Sequence, residues 1–364
     1  MALALSSTPL AGELLTSLTE RRAWDVRQVI SVAAAVSAMS DAERGEVRAL
    51  IVETEPVDRG LIGRLASLEV VICPRSEPVN VDVRAAEAYG VAVIHAPGRN
   101  AEAVADFTLG LCLAALRHIA TSYHAIVSGE LTSTGSGPSP AIAKDDVIWR
   151  PREPGRVIPY LAYKGPELSG LTVGVVGYGA VGQAVALRFQ GLVRRVIIVD
   201  PLAAALSGPG DGLVSMSLDD MLPLADVVTL HARSKDVIIG RDELFRMKAG
   251  SYLINTARAT VLDYDALIQA LDSGPLRGAA LDVFPEEPLP HASPLRTHPG
   301  LTLTPHLAGA SEQVGERQYA IAAAGLDGVY APDAAWDRLP VRNPQVRESW
   351  ARRREAHNPS ITSS

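Results

Sequence analysis

Short apolar runs alternate with helix-length stretches along most of this chain. RALIV ending at Val52, LEVVIC at Leu68–Cys73 and GVAVIH at Gly90–His95 are rich in β-branched residues. Continuous apolar runs of this length are the pattern of strands buried on both faces of a parallel sheet. VDVRAAEAYG, Val81–Gly90, predicts a helix stopped by glycine. The first 45 residues carry no clear period, and VISVAAAVSAM fits a strand or a helix. Together these elements predict a small α/β domain. PGRNAEAVADFTLGLCLAALRHI, Pro97–Ile119, predicts a long, largely apolar helix with Asn100 as N-cap. Such a helix suits a seam between domains or subunits.

Residues 129–162 break the alternation with Gly, Ser and Pro. They predict an irregular excursion. Its Trp149, Arg150, Arg152 and Arg156 either face an anion or belong to a solvated loop with one tucked tryptophan. From Leu171 the alternation resumes. TVGVVG, RVIIVD, DVVTLH, SYLINT, GAALDV and LTLTPH predict strands, with AVGQAVALRF, SLDDMLP, GRDELFRM and DYDALIQALDSG as helices between them. That order predicts a doubly wound parallel sheet. An amphipathic helix is expected from Ser311 onward, and 341–364 reads as a polar tail with a fraying end.

Composition narrows the function. A chain of 364 residues with 47% hydrophobic content can bury the cores of two domains. A net charge of −7 argues against a nucleic-acid binder with a broad basic face, while leaving room for a small anionic substrate. Cys73 and Cys112 have no C-x-x-C spacing, so a reduced, cytoplasmic setting is expected. The N-terminus lacks the basic region of a signal peptide. Ala105–Ala120 comes nearest to a membrane span but is short and charged at both ends, so no membrane partner is expected. His231 and His306 lack the spacing of a metal site, and no metal is expected.

The chemistry is concentrated in the second half. TVGVVGYGAVGQAV places Gly177, Gly179 and Gly182 between an apolar strand and a helix, and Asp200 ends the next strand. Gly177 permits the tight turn, Gly179 a close backbone approach to pyrophosphate, and Gly182 close helix–sheet packing. The helix start at Ala180 and Val181 offers free N–H groups to phosphate. A carboxylate at Asp200 accepts ribose hydroxyls and repels a 2′-phosphate, which favours NAD over NADP. Arg258, Glu287 and His306 each follow a predicted strand. One arginine, one carboxylate and one histidine suffice to reduce a 2-oxo acid: arginine holds the carboxylate or polarises the ketone, and histidine donates a proton. The carboxylate fixes the histidine's tautomer. Glu286 stands beside Glu287, and the residue before Pro288 is taken as the partner.

These segments resemble the D-isomer-specific 2-hydroxyacid dehydrogenase family, from about Val47 to Ala323. The matching stretches are PGRNAEAVADFTLGL, GPELSGLTVGVVGYGAVGQAVA, MKAGSYLINTARATVLDYDAL, GAALDVFPEEPLP and LTPHLAGAS. The resemblance implies two doubly wound α/β domains. Residues 1–100 and 312–340 would form a flavodoxin-like substrate domain, and a Rossmann NAD-binding domain, 101–311, would be inserted between them. It implies catalytic roles for Arg258, Glu287 and His306, and contact of Asp282 with the nicotinamide carboxamide. Val104, Thr256 and Ala257 fall near the nicotinamide, with His231 also on the cofactor side. It implies a homodimer with the helix at Ala101–Ile119 in the contact.

In CPRSEPVNVD the residues Arg75, Ser76, Glu77, Pro78 and Val79 resemble a substrate loop whose amides grip a carboxylate. Ser76 and Glu77 replace two expected glycines, and Glu77 faces either outward or a polar part of the substrate. Ala259 replaces a glycine, and LHARSK replaces L-H-x-P, which places Arg233 near cofactor or substrate. The expected reaction joins a small 2-oxo acid and its D-2-hydroxy acid, with or without a phospho or phosphono group that Arg75, Arg99, Arg233 and the arginines Arg150, Arg152 and Arg156 would meet. The alternative is a non-catalytic NAD-binding sensor or corepressor-like protein, against which the three catalytic residue types stand.

Overall fold

The computed structural model describes residues 2–8, 24–131, 158–201, 203, 213–330 and 339–357. Trp149, Arg150, Arg152 and Arg156 lie outside the described residues. The chain divides into two compact units, Met1–Arg99 with Ser311–Ser364, and Asn100–Ala310.

The first unit is built on five parallel strands in the order β2-β1-β3-β4-β5. They are β1 (Ala2–Ser6), β2 (Trp24–Gln28), β3 (Val47–Ile51), β4 (Val70–Cys73) and β5 (Ala92–His95). Val70, Val71, Ile72 and Cys73 are all essentially buried, as a strand covered on both faces requires. The ambiguous VISVAAAVSAM resolves into a loop and the helix Val32–Ala38, capped by Ser31 accepting from Ala34 N. Asp82 caps the helix Val83–Ala88, and Gly90 follows it at φ 65°.

The helix Glu312–Tyr330 packs Ala322, Ala323 and Leu326 against Ile72 and Ile94. Residues 339–357 differ from the polar tail that the sequence suggests. Val341 forms an antiparallel bridge with Ile94 of the edge strand. Asn343 is fully buried, its side chain accepting from Val93 N and donating to Val91 O, both at 2.9 Å. Val346 and Trp350 are 2% and 4% exposed in the same core, so this stretch belongs to the unit.

The second unit holds seven parallel strands in the order β12-β11-β10-β9-β6-β7-β8. They are β6 (Thr172–Val176), β7 (Arg195–Val199), β8 (Leu213–Ser215), β9 (Val227–Leu230), β10 (Ser251–Asn255), β11 (Leu276–Leu281) and β12 (Leu301–Leu303). Strand order reverses at β6, which lies between β7 and β9, and the crevice beyond such a point is where open α/β sheets take ligands.

The long helix is broken in two. Ala101–Leu116 ends before His118, which takes a left-handed φ of 54°, and Ile119–Val127 follows. Asn100 makes no side-chain cap bond; its amide lies against Gly309 instead. Ala105, Thr108, Cys112 and Leu116 are buried inside the unit. Arg188 of the helix Ala180–Phe189 bonds Glu102 at 2.7 Å and Asp106 at 2.5 Å. Among the described residues no single helix is long and apolar enough to cross a membrane; the two helices pass that test only as a pair bent by 65°.

Candidate active site

Three strand ends of the second unit carry the polar groups. At the end of β10, Asn255 is fully buried and folds the next three residues back on itself. Its Nδ2 donates to Arg258 O and its Oδ1 accepts from Ala257 N, both at 3.0 Å. The turn projects Arg258, whose guanidinium Nη1 donates to Ala257 O at 2.6 Å and stays largely exposed. After β11, Glu287 Oε1 accepts from Phe284 N at 2.9 Å. After β12, His306 Nδ1 lies 2.7 Å from Glu287 Oε2. A carboxylate only accepts, so Nδ1 carries the hydrogen and Nε2 is left for exchange with a ligand. The structure thus brings Glu287 to His306 in the Glu286–Glu287 pair.

Burial of Glu287 works against its charge, but the hydrogen bonds from His306 and Phe284 N, with the nearby charges of His306 and Arg258, outweigh it. Its carboxyl therefore sits below the usual glutamate range and is ionised at neutral pH. His306 has φ 56°, a left-handed conformation uncommon outside glycine, which persists only where the surroundings hold it.

Asp282 supplies that hold. It is fully buried, and its Oδ1 accepts from Thr304 Oγ1 at 2.6 Å and Leu307 N at 2.8 Å. Its Oδ2 accepts from Ala308 N at 2.8 Å. The carboxylate is enclosed and holds the loop that carries His306, and its two oxygens offer about four acceptor sites, of which three are used. His231 is also enclosed. Its Nε2 meets Thr229 Oγ1 at 2.8 Å, and burial pushes its pKa down to about 3, so the ring is neutral and faces the core. Its backbone adjoins the glycine turn, His231 N donating to Val176 O at 2.7 Å.

The glycine turn fits a dinucleotide on three observations. Gly177 has φ 95°, and a Cβ there would lie 2.5 Å from Ala232 N. A Cβ on Gly182 would lie 1.9 Å from Gly177 O, so the helix approaches the strand only with glycine. Over Gly179 nothing stands within 4 Å, which leaves open space where the chain enters the helix. Among the described residues the amides of Ala180, Val181 and Gly182 donate to no protein group, as first-turn amides of a helix do, and such amides suit an anion. Asp200 Oδ2 accepts from Tyr178 N at 2.7 Å, which fixes the carboxylate beside the turn. Arg194 bonds Thr172 Oγ1 at 3.0 Å, at the opposite end of the strands. Thr256 Oγ1 and Thr108 Oγ1 are 2.9 Å apart, and Thr108 also bonds Val104 O at 2.7 Å. This joins the Val104 helix to the Thr256–Ala257 strand end.

In the first unit the segment 75–79 caps the end of β4. Arg75 N donates to Cys73 O and Arg75 O accepts from Ala96 N. The amides of Ser76 and Val79 donate to no protein group among the described residues, and Val79 is 80% exposed. Glu77 pairs with Arg342 at 3.4 Å. Arg99 pairs with Glu53 at 3.1 Å. Cys73 and Cys112 are buried free thiols.

Sequence reasoning passed over Asn255 and Thr304. A signal exists for both: each is a polar residue at the end of an apolar strand run, just before a residue that must be aimed.

Comparisons with known proteins bear on the family and the fold. Residues 152–308 match the model of the D-isomer specific 2-hydroxyacid dehydrogenase, NAD binding domain. A glyoxylate reductase of Thermofilum pendens is 32% identical over 280 residues, 76% of each chain. A solved Thermus thermophilus protein is 31% identical with a TM-score of 0.71, covering 90% of this chain and 96% of that one. A solved NADPH-dependent glyoxylate/hydroxypyruvate reductase of Sinorhizobium meliloti is 25% identical with a TM-score of 0.69, covering 91% and 95%. The chain therefore belongs to the D-isomer specific 2-hydroxyacid dehydrogenase family, as a nicotinamide-dependent oxidoreductase that interconverts 2-oxo and 2-hydroxy acids.

Proposed function

We propose that the protein reduces a small 2-oxo acid to its D-2-hydroxy acid at the expense of NADH, with Arg258, Glu287 and His306 as its catalytic residues. The observation that carries this reading is the 2.7 Å His306–Glu287 pair, with the Glu287 carboxylate braced by Phe284 N. The ring is set in one tautomer, Nδ1–H toward the carboxylate, with Nε2 turned to the substrate.

The reduced nicotinamide, when bound, supplies the hydride that adds to the carbonyl carbon. The protein's own residues do the rest. Arg258 binds the substrate carboxylate or ketone oxygen with a planar, always charged fork. His306 gives its Nε2 proton to the ketone oxygen as that oxygen gains charge. Glu287 stays ionised and supports the imidazolium before transfer. The loop at 75–79 receives the substrate carboxylate on its backbone amides. The glycine turn, the first-turn amides at Ala180 and Val181 and the carboxylate of Asp200 would hold the dinucleotide. Asp200 supports NADH over NADPH, because a 2′-phosphate placed beside it meets a like charge.

The substrate is proposed to lack a second anionic group. Arg99, one of the arginines that would meet such a group, is committed to Glu53.

A homodimer is proposed as well. Ile119, Tyr123, Val127, Tyr160 and Leu161 are each more than half exposed on the helices Ile119–Val127 and Pro159–Ala162. These exposed apolar side chains lie past the end of the helix first expected in the contact. The buried free thiols fit a reducing, cytoplasmic setting.

The test is NADH oxidation over glyoxylate, hydroxypyruvate, pyruvate, longer 2-oxo acids, phosphohydroxypyruvate and phosphonopyruvate. Turnover of the first group with little of the last two is expected; no turnover of any 2-oxo acid refutes the reading.

A further inference from the structure

We infer that Arg342 is a positioning residue for the substrate loop: its guanidinium draws aside and compensates the Glu77 carboxylate, so that an acidic residue is tolerated where a substrate anion must bind. This rests on the proposed reading that residues 75–79 receive the substrate carboxylate.

A glutamate in such a loop is an electrostatic liability. Its charge repels the ligand and its side chain crowds the amides. Two contacts hold the segment at adjacent residues. His95 Nδ1 lies 2.9 Å from Ser76 O; the carbonyl only accepts, so the ring donates. Glu77 Oε2 lies 3.4 Å from Arg342 Nε.

Arg342 stands on a firm base. The segment 339–343 runs antiparallel beside the edge strand β5, with Arg342 N donating to Val93 O at 2.7 Å and His95 N to Pro340 O at 3.1 Å. The buried Asn343 side chain bonds the backbone of Val91 and Val93 on the same strand. Val346 and Trp350 then anchor the next stretch of chain in the core. The guanidinium is therefore delivered to Glu77 by ordered backbone.

The side chains of Arg342 and Glu77 are 50% and 45% exposed, and ion pairs of that kind add little to stability. Their effect is local charge. It should appear in substrate affinity, grow as salt is lowered, and leave unfolding unchanged.

The test measures kcat, KM for the best 2-oxo acid, Kd for NADH and the melting temperature. The variants are Arg342→Ala, Arg342→Lys, Glu77→Lys and the double variant Arg342→Ala with Glu77→Gly. Arg342→Ala is expected to raise KM about threefold or more at low salt. Its kcat, NADH Kd and melting temperature should stay near those of the parent. Arg342→Lys should recover part of the loss, and the double variant should return KM toward the parent value, because the carboxylate that Arg342 draws aside is gone. If Glu77→Lys changes KM while Arg342→Ala does not, Arg342 has no such role and the loop reading survives. If neither changes KM, the loop reading itself fails. A fall in melting temperature that accounts for the KM change, without rescue in the double variant, makes Arg342 purely structural and overturns the inference.

Discussion

Asp282→Asn is the substitution that separates a ligand contact from a loop clamp. In the clamp, one enclosed carboxylate accepts three hydrogen bonds, from Thr304 Oγ1, Leu307 N and Ala308 N. An asparagine keeps one acceptor oxygen. If that oxygen serves Thr304 and Leu307, the new NH2 group faces the Ala308 N–H, donor against donor. The loss is one charge-assisted bond, about 1.5–3 kcal/mol, with a buried donor left unsatisfied at about 1–3 kcal/mol. Partial relaxation overlaps the two, so about 2–5 kcal/mol is expected locally. The loop so loosened carries His306 at φ 56°, a conformation that its surroundings must hold. A displacement of about 1 Å at a reacting group costs on the order of 10²-fold in rate. The assay pairs kcat for 2-oxo acid reduction with hydrogen exchange at 304–308. Lower kcat with faster exchange at Leu307 and Ala308 is expected. Thr304→Val, which removes one bond and spares both amides, should show a smaller effect of the same kind. Unchanged kcat and exchange in Asp282→Asn would refute the clamp.

Other consequences are open to direct measurement. Because the pKa of Glu287 lies below the usual value of 4.5, its carboxylate remains charged as pH falls toward that value, so loss of this charge cannot set an activity limb above it. Glu287→Gln removes the carboxylate that fixes the His306 tautomer and should lower kcat/KM for reduction by about tenfold or more with Kd for NADH little changed; an unchanged kcat/KM contradicts the pairing. Asp200→Ala should narrow a preference for NADH that is expected to exceed about tenfold, or about 1.4 kcal/mol, and equal use of both cofactors by the parent contradicts the ribose assignment. Burial holds the pKa of His231 at about 3. The unfolded chain therefore binds a proton that the fold does not, and stability should fall as pH drops below about 6.5, by up to about 1.4 kcal/mol per unit. His231→Gln should flatten that slope in urea titrations between pH 6 and about 4 if the ring is its source.

The glycine turn was legible because its backbone demands are local. Gly177, Gly179 and Gly182 meet backbone demands within a few residues, and the helix predicted from AVGQAVALRF is the one found at Ala180–Phe189. That Arg258, Glu287 and His306, the residues proposed as catalytic, follow strands was legible from the apolar runs before them. The features that escaped depend on distant partners. The hold of Asp282 on Thr304, Leu307 and Ala308 joins residues more than twenty positions apart. The β1 strand is a brief apolar run of five residues, and β8 is three half-buried residues at the sheet edge. The segment after residue 339 looks polar because Asn343 spends its amide on β5, a substitution for backbone pairing that composition does not reveal. The break at His118 comes from a left-handed residue with no glycine to announce it.

Whether His306, held by Glu287, donates the proton in the reduction of a 2-oxo acid is decided by a single comparison. The parent and His306→Ala are assayed for NADH oxidation with the best 2-oxo acid, alongside NADH binding by fluorescence titration. A fall in kcat of about 10²–10⁴, the usual worth of a positioned acid, is expected, with Kd for NADH within about twofold. Full turnover in His306→Ala, or a loss of turnover explained by lost NADH binding, would remove the histidine from that role.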